Sequence, residues 1–216
     1  RDLHLSLRRQ RQMCIRDSSN STDSFGRVAK IFVDPKDNEA YIADGYFNKR
    51  VVVLDAENGA FKRFWGAYGN TPDDTDLGPY DPDAAPAQQF RNPVHCAELS
   101  LDGLLYVCDR VNDRIQVFDP QGRFVRKWGI KGRGDGEFSQ PQGLAMDNEG
   151  NLYVSEHGND RIQVFDSQGN FLRKWGSNDG VDGEFNQPHG LAIDYDGDIY
   201  VSNQGNHKIM VFKPTV

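Results

Sequence analysis

Residues 138–176 read FSQPQGLAMDNEGNLYVSEHGNDRIQVFDSQGNFLRKWG, and residues 185–212 read FNQPHGLAIDYDGDIYVSNQGNHKIMVF. The second stretch repeats the order of the first, 47 residues on. An earlier copy, FRNPVHCAELSLDGLLYVCDRVNDRIQVFDPQGRFVRKWG, occupies 90–129, and a more divergent one, VAKIFVDPKDNEAYIADGYFNKRVVVLDAENGAFKRFWG, occupies 28–66. Tyr106, Tyr153 and Tyr200 keep the same 47-residue spacing, as do Trp128 and Trp175. Each copy holds short β runs, as in GLAMD, NLYVS, RIQVFD and FLRKW, separated by Asn, Asp and Gly turn signals.

Four short antiparallel strands per unit of about 45 residues describe the blade of a β-propeller. The expected fold is therefore all-β, with blades at about 26–66, 90–129, 138–176 and 185–213 and the whole propeller spanning 26–216. The most apolar strand, a, suits the crowded inner position, and the Trp-bearing strand d suits the rim. The fourth copy lacks a strand d, so the chain reads as part of a six-bladed ring. A closed four-bladed ring would need residues 20–25 to supply the missing outer strand. Between the first two blades lies AYGNTPDDTDLGPYDPDAAPAQQ, residues 67–89, with five Asp, four Pro and no basic residue. Its reading is a solvated acidic loop, with calcium as the cation that its carboxylates would hold.

Hydrophobic residues make up 37% of the chain, enough for a core, and the formal net charge is −7. Residues 1–18 carry five Arg and two Asp, which leaves 20 basic against 30 acidic residues in the remainder. An acidic body lacks the phosphate-neutralising surface of a nucleic-acid binder. No apolar run is long enough for a membrane-spanning helix. Residues 1–25 share nothing with the repeats and read as a disordered basic tail or as sequence foreign to the protein, with no apolar signal-peptide core. Cys14 lies in that segment. Cys96 and Cys108 fall on consecutive strands of one blade, either as a cross-strand disulfide or as two buried thiols. The first option would go with an oxidising, extracytoplasmic compartment, periplasmic or secreted.

Comparing the blades with one another separates scaffold from site. Asn112, Asn159 and Asn206 precede strand c in a turn that Asn tolerates. Arg114, Arg161 and Lys208 follow two residues later and tie neighbouring elements together, and Phe118, Phe165 and Phe212 are expected in the blade cores. One position behaves differently. Eleven residues before the strand-b Tyr stand His95, Gln142 and His189, and the first-blade equivalent, across one extra turn residue, is Ala29. Histidine thus recurs in every second blade, at the start of the innermost strand. Alternate blades of a six-bladed ring stand about 120° apart, so such histidines converge on the channel axis as an open zinc site requires. The bland reading is two solvated channel-lining histidines.

The string P-x-G-L-A-x-D-x-x-G-x-L-Y-V, followed by G-N-D-R-I-Q-V-F and W-G, resembles the NHL repeat over about residues 26–213. Within that family the arrangement is similar to peptidyl-α-hydroxyglycine α-amidating lyase, a six-bladed propeller whose zinc is held by histidines in P-H motifs on alternate blades. The matching segments are QPHGL at His189 and, with one residue between Pro and His, NPVHC at His95. The family has Asp after its last P-H, where this chain has Gly190. The resemblance assigns the catalytic tyrosine of a D-G-Y segment to Tyr46 and the active-site arginine of a D-R segment to Arg110.

The roles implied are chemically coherent. Zinc polarises the substrate hydroxyl, Tyr46 takes its proton as general base, and Arg110 binds the carboxylate that leaves as glyoxylate. Glu156, His157 and Gln204 occupy the same region in later blades, where rim solvation accounts for them. The alternative to a lyase is a non-catalytic propeller that binds a protein, peptide or glycan, with no stoichiometric metal.

Overall fold

The computed structural model describes residues 19–176 and 185–213. The basic segment 1–18, with Cys14, lies outside them. The strands run in chain order as β1 (Lys30–Asp34), β2 (Glu39–Asp44), β3 (Arg50–Asp55), β4 (Phe61–Trp65), β5 (Val94–Leu99), β6 (Leu105–Asp109), β7 (Arg114–Phe118) and β8 (Phe124–Trp128). They continue as β9 (Pro141–Met146), β10 (Leu152–Glu156), β11 (Arg161–Phe165), β12 (Phe171–Trp175), β13 (Pro188–Ile193), β14 (Ile199–Asn203) and β15 (Lys208–Phe212). They form three four-stranded antiparallel meanders and a fourth sheet of three strands, β13–β14–β15. The innermost strands β1, β5, β9 and β13 lie against one another in sequence. Residues 20–25 add no outer strand to the fourth sheet. Ser19 to Phe25, expected within the tail, instead pack on the first blade, where Ser19 and Ser24 are buried.

The apolar cores lie between the blades, which corrects the expectation that the strand-c Phe residues fill a core within each blade. Strand alternation gives every sheet two faces, and each blade buries one of them against the next. Trp65 of β4 packs on Phe118 of β7 with ring centroids 5.9 Å apart. Trp128–Phe165 and Trp175–Phe212 repeat that contact at 5.8 Å. Phe90, Phe138 and Phe185, which open the units, sit on the same phenylalanines. The strand-d Trp therefore belongs to an outer strand yet points into an interface, Trp65 being 3% exposed.

A buried ion pair recurs where strand b ends and strand c begins. Asp44 pairs with Arg50 at 2.9 Å, Asp109 with Arg114 at 2.7 Å and Glu156 with Arg161 at 2.5 Å, all nearly inaccessible to water. The remaining arginine N–H groups donate to the linker that enters the blade, mostly to its carbonyls, with Arg114 Nη1 on the Tyr68 hydroxyl at 2.9 Å. Arg50 binds the carbonyls of Ser19, Ser21 and Ser24, Arg114 those of Ala87 and Gln89, and Arg161 those of Arg133, Gly134 and Glu137. Each carboxylate also accepts from the Asn three or four residues on, Asn48, Asn112 or Asn159. The left-handed residue of that turn is the one after the Asn, Asp113 (φ 49°) or Asp160 (φ 52°). The Asn residues thus serve the carboxylate, not the strained backbone position expected for them. In the fourth blade Asn203 replaces the carboxylate, and the Lys208 side chain is exposed.

Removing one partner of such a pair strands a buried charge, which costs about 3–5 kcal/mol. Arg114→Met is expected to lower the unfolding free energy by that amount in urea titration. Arg123→Met, which breaks an exposed pair with Asp119, should leave the urea midpoint near that of the parent chain.

Candidate functional site

Three consecutive inner strands carry a β-bulge at the position singled out by the sequence. Val94 pairs with Asp109 and Cys96 with Cys108, so His95 is the extra residue between them. Gln142 is extra between Pro141, which pairs with Glu156, and Gly143, which pairs with Ser155. His189 lies in the corresponding irregularity between Pro188 and Leu191. Val94 therefore takes the place of the motif proline, which explains the departure in NPVHC. In the first blade Lys30 pairs with Ala43, as Cys96 does with Cys108, so Ala29 is the equivalent of His95. A bulge re-aims a side chain without ending the strand, and here it does so at one height in successive blades.

The two histidines meet. Their ring centroids are 4.8 Å apart at an interplanar angle of 74°. The third blade fixes both. His95 Nδ1 donates to the Gln142 carbonyl at 2.8 Å, which leaves Nε2 as the acceptor. The Ser155 hydroxyl donates to the His189 carbonyl at 2.7 Å and accepts from the Gly143 N–H at 2.9 Å. Gly143 permits this approach, because a Cβ there would lie 2.3 Å from the His189 carbonyl oxygen.

Tyr46 joins the pair from the first blade. Its Oη lies 3.1 Å from His95 Nε2, and the rings stand edge to face at 5.7 Å. Gly45 makes the turn possible, since a Cβ there would lie 1.9 Å from the Val94 carbonyl oxygen. The Asn92 amide holds the Tyr46 carbonyl at 3.1 Å. Arg110 opens a short 3-10 turn, Arg110–Asn112, after β6. Its Nη2 donates to Gln140 Oε1 at 2.9 Å, and among the described residues no carboxylate pairs with it. Burial lowers the pKa of Arg110, while neighbouring Tyr46 raises it. Arg110 is thus held by a neutral amide.

The electrostatics of the mouth are one-sided. Burial chiefly pushes His95 down to about 4, with further lowering by His189, Arg110 and His157, while the hydrogen bond to Gln142 works the other way. His189 is lowered by burial and by Arg110. His157, on the turn after β10, is half-buried, and its pKa is lowered by burial, Arg110 and His189 while Asp160 works the other way. Glu156 and Gln204 do not share this setting. Glu156 is the fully buried partner of Arg161, and Gln204, though it lines an open cavity with His189, is exposed as rim solvation requires. Neutral imidazoles beside an uncompensated guanidinium suit a metal cation held together with an anionic ligand.

Two imidazoles on one tetrahedral zinc, with nitrogens at about 2.0–2.1 Å, place their ring centroids about 5 Å apart, and the observed separation fits. Among the described residues no group of three or more His, Cys, Asp or Glu side chains is placed to hold an ion. Four of the insertion's five carboxylates accept backbone hydrogen bonds. Asp73, Asp76 and Asp81 accept from backbone N–H groups two residues on, and Asp74 accepts from Ser19. Cys96 and Cys108 form a disulfide across β5 and β6, with Cα atoms 5.0 Å apart, immediately after His95. Sequence reasoning missed Gln140, whose signal was its place before the bulge, and left Gln142 without a role although it stands in the histidine series. No described helix is long and apolar enough to cross a membrane.

Because the folded-state pKa of His95 lies below its unfolded value of about 6.5, the unfolded chain binds more protons in between. The stability contributed by neutral His95 is present above about pH 6.5 and is lost as pH falls toward about 4. Denaturant titrations in chelator should show the parent chain losing on the order of 2–3 kcal/mol more than His95→Gln between those limits. Equal losses would show that His95 is not held neutral.

Comparison with known proteins agrees with the blade geometry. Residues 99–162 match the family described as 6-bladed beta-propeller, and residues 185–212 match the NHL repeat. Over 106 residues, 48% of the chain, it is 34% identical to peptidyl-glycine alpha-amidating monooxygenase B of Xenopus laevis, of which this covers 10%. Virginiamycin B lyase from Staphylococcus aureus superposes with a TM-score of 0.56 at 15% identity, over 93% of this chain and 59% of that one. A protein of unknown function from Bacteroides thetaiotaomicron superposes with a TM-score of 0.64 at 16% identity, over 87% of this chain and 47% of that one. The chain spans about a tenth of the curated relative that it matches and about half of these solved structures. It is an all-β chain of four propeller blades with NHL-repeat sequence, distantly homologous to the amidating enzymes.

Proposed function

We propose that the protein to which these blades belong is a zinc-dependent lyase of the peptidyl-α-hydroxyglycine α-amidating type, cleaving a C–N bond to release a peptide amide and glyoxylate. The observation that carries the reading is the meeting of His95 and His189 from alternate blades, with Tyr46 Oη 3.1 Å from His95 Nε2. The likeness to an amidating enzyme across 48% of the chain supports it.

His95, through Nε2 in exchange for its hydrogen bond with Tyr46, and His189 would hold the ion, and zinc would supply Lewis-acid polarisation of the substrate hydroxyl. The other steps fall to this chain's own groups. Arg110, held in place by Gln140, receives the substrate carboxylate through its remaining N–H donors. Tyr46 takes the hydroxyl proton as the carbonyl of glyoxylate forms, and the C–N electron pair leaves with the amide nitrogen. That nitrogen gains a proton, which Tyr46 is placed to return. His157, beside Arg110 and His189, adds a further imidazole to the wall that receives the substrate. The disulfide behind His95 fits an oxidising compartment.

Metal analysis of the chain purified without chelator should find one zinc per molecule, abolished by His95→Ala with His189→Ala. A metal-free parent chain at saturating zinc would overturn the reading in favour of a peptide-binding scaffold. In the complete protein, Tyr46→Phe should slow glyoxylate release from an α-hydroxyglycine-extended peptide by about 10²–10⁴-fold while zinc affinity stays near the parent value. Arg110→Ala should mainly raise KM.

A further inference from the structure

Gln142 stands between the two histidines in the order of the blades. It is the bulge residue of β9, at the register that His95 holds in β5 and His189 in β13. Its backbone carbonyl orients His95 at 2.8 Å. Gln142 is 3% exposed, as is His95. Yet its Oε1 is buried and has no hydrogen-bond partner. A buried amide oxygen left unpaired costs about 1–3 kcal/mol, and an apolar residue would fill the same space without that cost. An unpaired buried polar atom of this kind calls for a specific explanation, and a bound ion is one that the chemistry of an amide oxygen allows.

The unpaired atom has the chemistry the histidine pair lacks. Two imidazoles leave a tetrahedral cation short of donors, and no third His, Cys, Asp or Glu converges on them among the described residues. An amide oxygen is a neutral donor that adds no charge to a mouth already bordered by Arg110. Gln140, two residues earlier, is already engaged with Arg110, so the two glutamines divide the work: one for the guanidinium, one for the ion.

We propose that Gln142 Oε1 is an oxygen ligand to the same ion as His95 and His189. This rests on the zinc reading above, and the test separates the two. Zinc affinity is measured by competition with a chromophoric chelator on the full chain, and cobalt(II) spectra report the ligand set. Gln142→Met keeps the side-chain length without the oxygen and is expected to weaken zinc binding by about 10–100-fold and to shift the cobalt visible bands. Gln142→Glu, offering a carboxylate at the same reach, should bind zinc at least as tightly as the parent. Circular dichroism checks that each variant is folded, and the Glu variant carries the test if the Met variant is not. A parent that binds zinc while Gln142→Met retains its affinity and cobalt spectrum overturns the Gln142 ligand alone, as does a folded Gln142→Glu with weakened affinity. A parent that binds no zinc overturns both readings.

Discussion

The stacking of one blade's strand-d tryptophan on the next blade's strand-c phenylalanine sets the geometry on which everything else depends. No single sheet can bury both its faces, so each blade is stable through its neighbours, and the core is distributed among the interfaces. Repeating the contact at 5.8–5.9 Å through three interfaces repeats one rotation. Equivalent residues of successive blades are thereby carried to one height around the axis. The buried carboxylate–arginine pairs lock the linkers into the same repeat, each arginine binding the strand before it and the segment that enters its own blade.

A site can then be written by varying one position per blade. Ala29, His95, Gln142 and His189 share one register, and the bulge there turns the side chains away from ordinary strand alternation. The third blade acts as the support: its backbone carbonyl orients His95, and its Ser155 hydroxyl holds the His189 backbone. In the second blade the Gly143/Ser155 positions are taken by Cys96 and Cys108, and a covalent bond stands where the third blade has a hydrogen bond. Residues on the turns after strand b, Tyr46, Arg110 and His157, complete a mouth with three imidazoles, a phenol, a guanidinium and no carboxylate acting on His95.

Much of this was legible because repeats serve as their own controls. The spacing of Tyr106, Tyr153 and Tyr200 marks the repeating unit, and counting back from them reaches the histidine register. What stayed hidden depended on partners that spacing does not encode. Phe118 and Phe165 look alike whether they face into a blade or onto its neighbour, and only the packing of Trp65 and Trp128 against them decides. Asn112 reads as a turn residue, but its amide is spent on buried Asp109. Ser19 to Phe25 look like tail, yet three of their carbonyls belong to Arg50. The redox state of Cys96 and Cys108 was open until β5 and β6 paired them directly. Gln140 and Gln142 are ordinary residues in a Q-P-Q segment, and their roles appear only when Arg110 and His95 arrive from the second blade.

The central claim is that alternate blades bring His95 and His189 to one metal centre. Anomalous X-ray diffraction at the zinc edge, on crystals of the chain grown with zinc, tests it most directly. The account predicts one strong peak bonded to a ring nitrogen of each histidine. A crystal with no peak between the two rings, or with zinc bound only elsewhere, would contradict it.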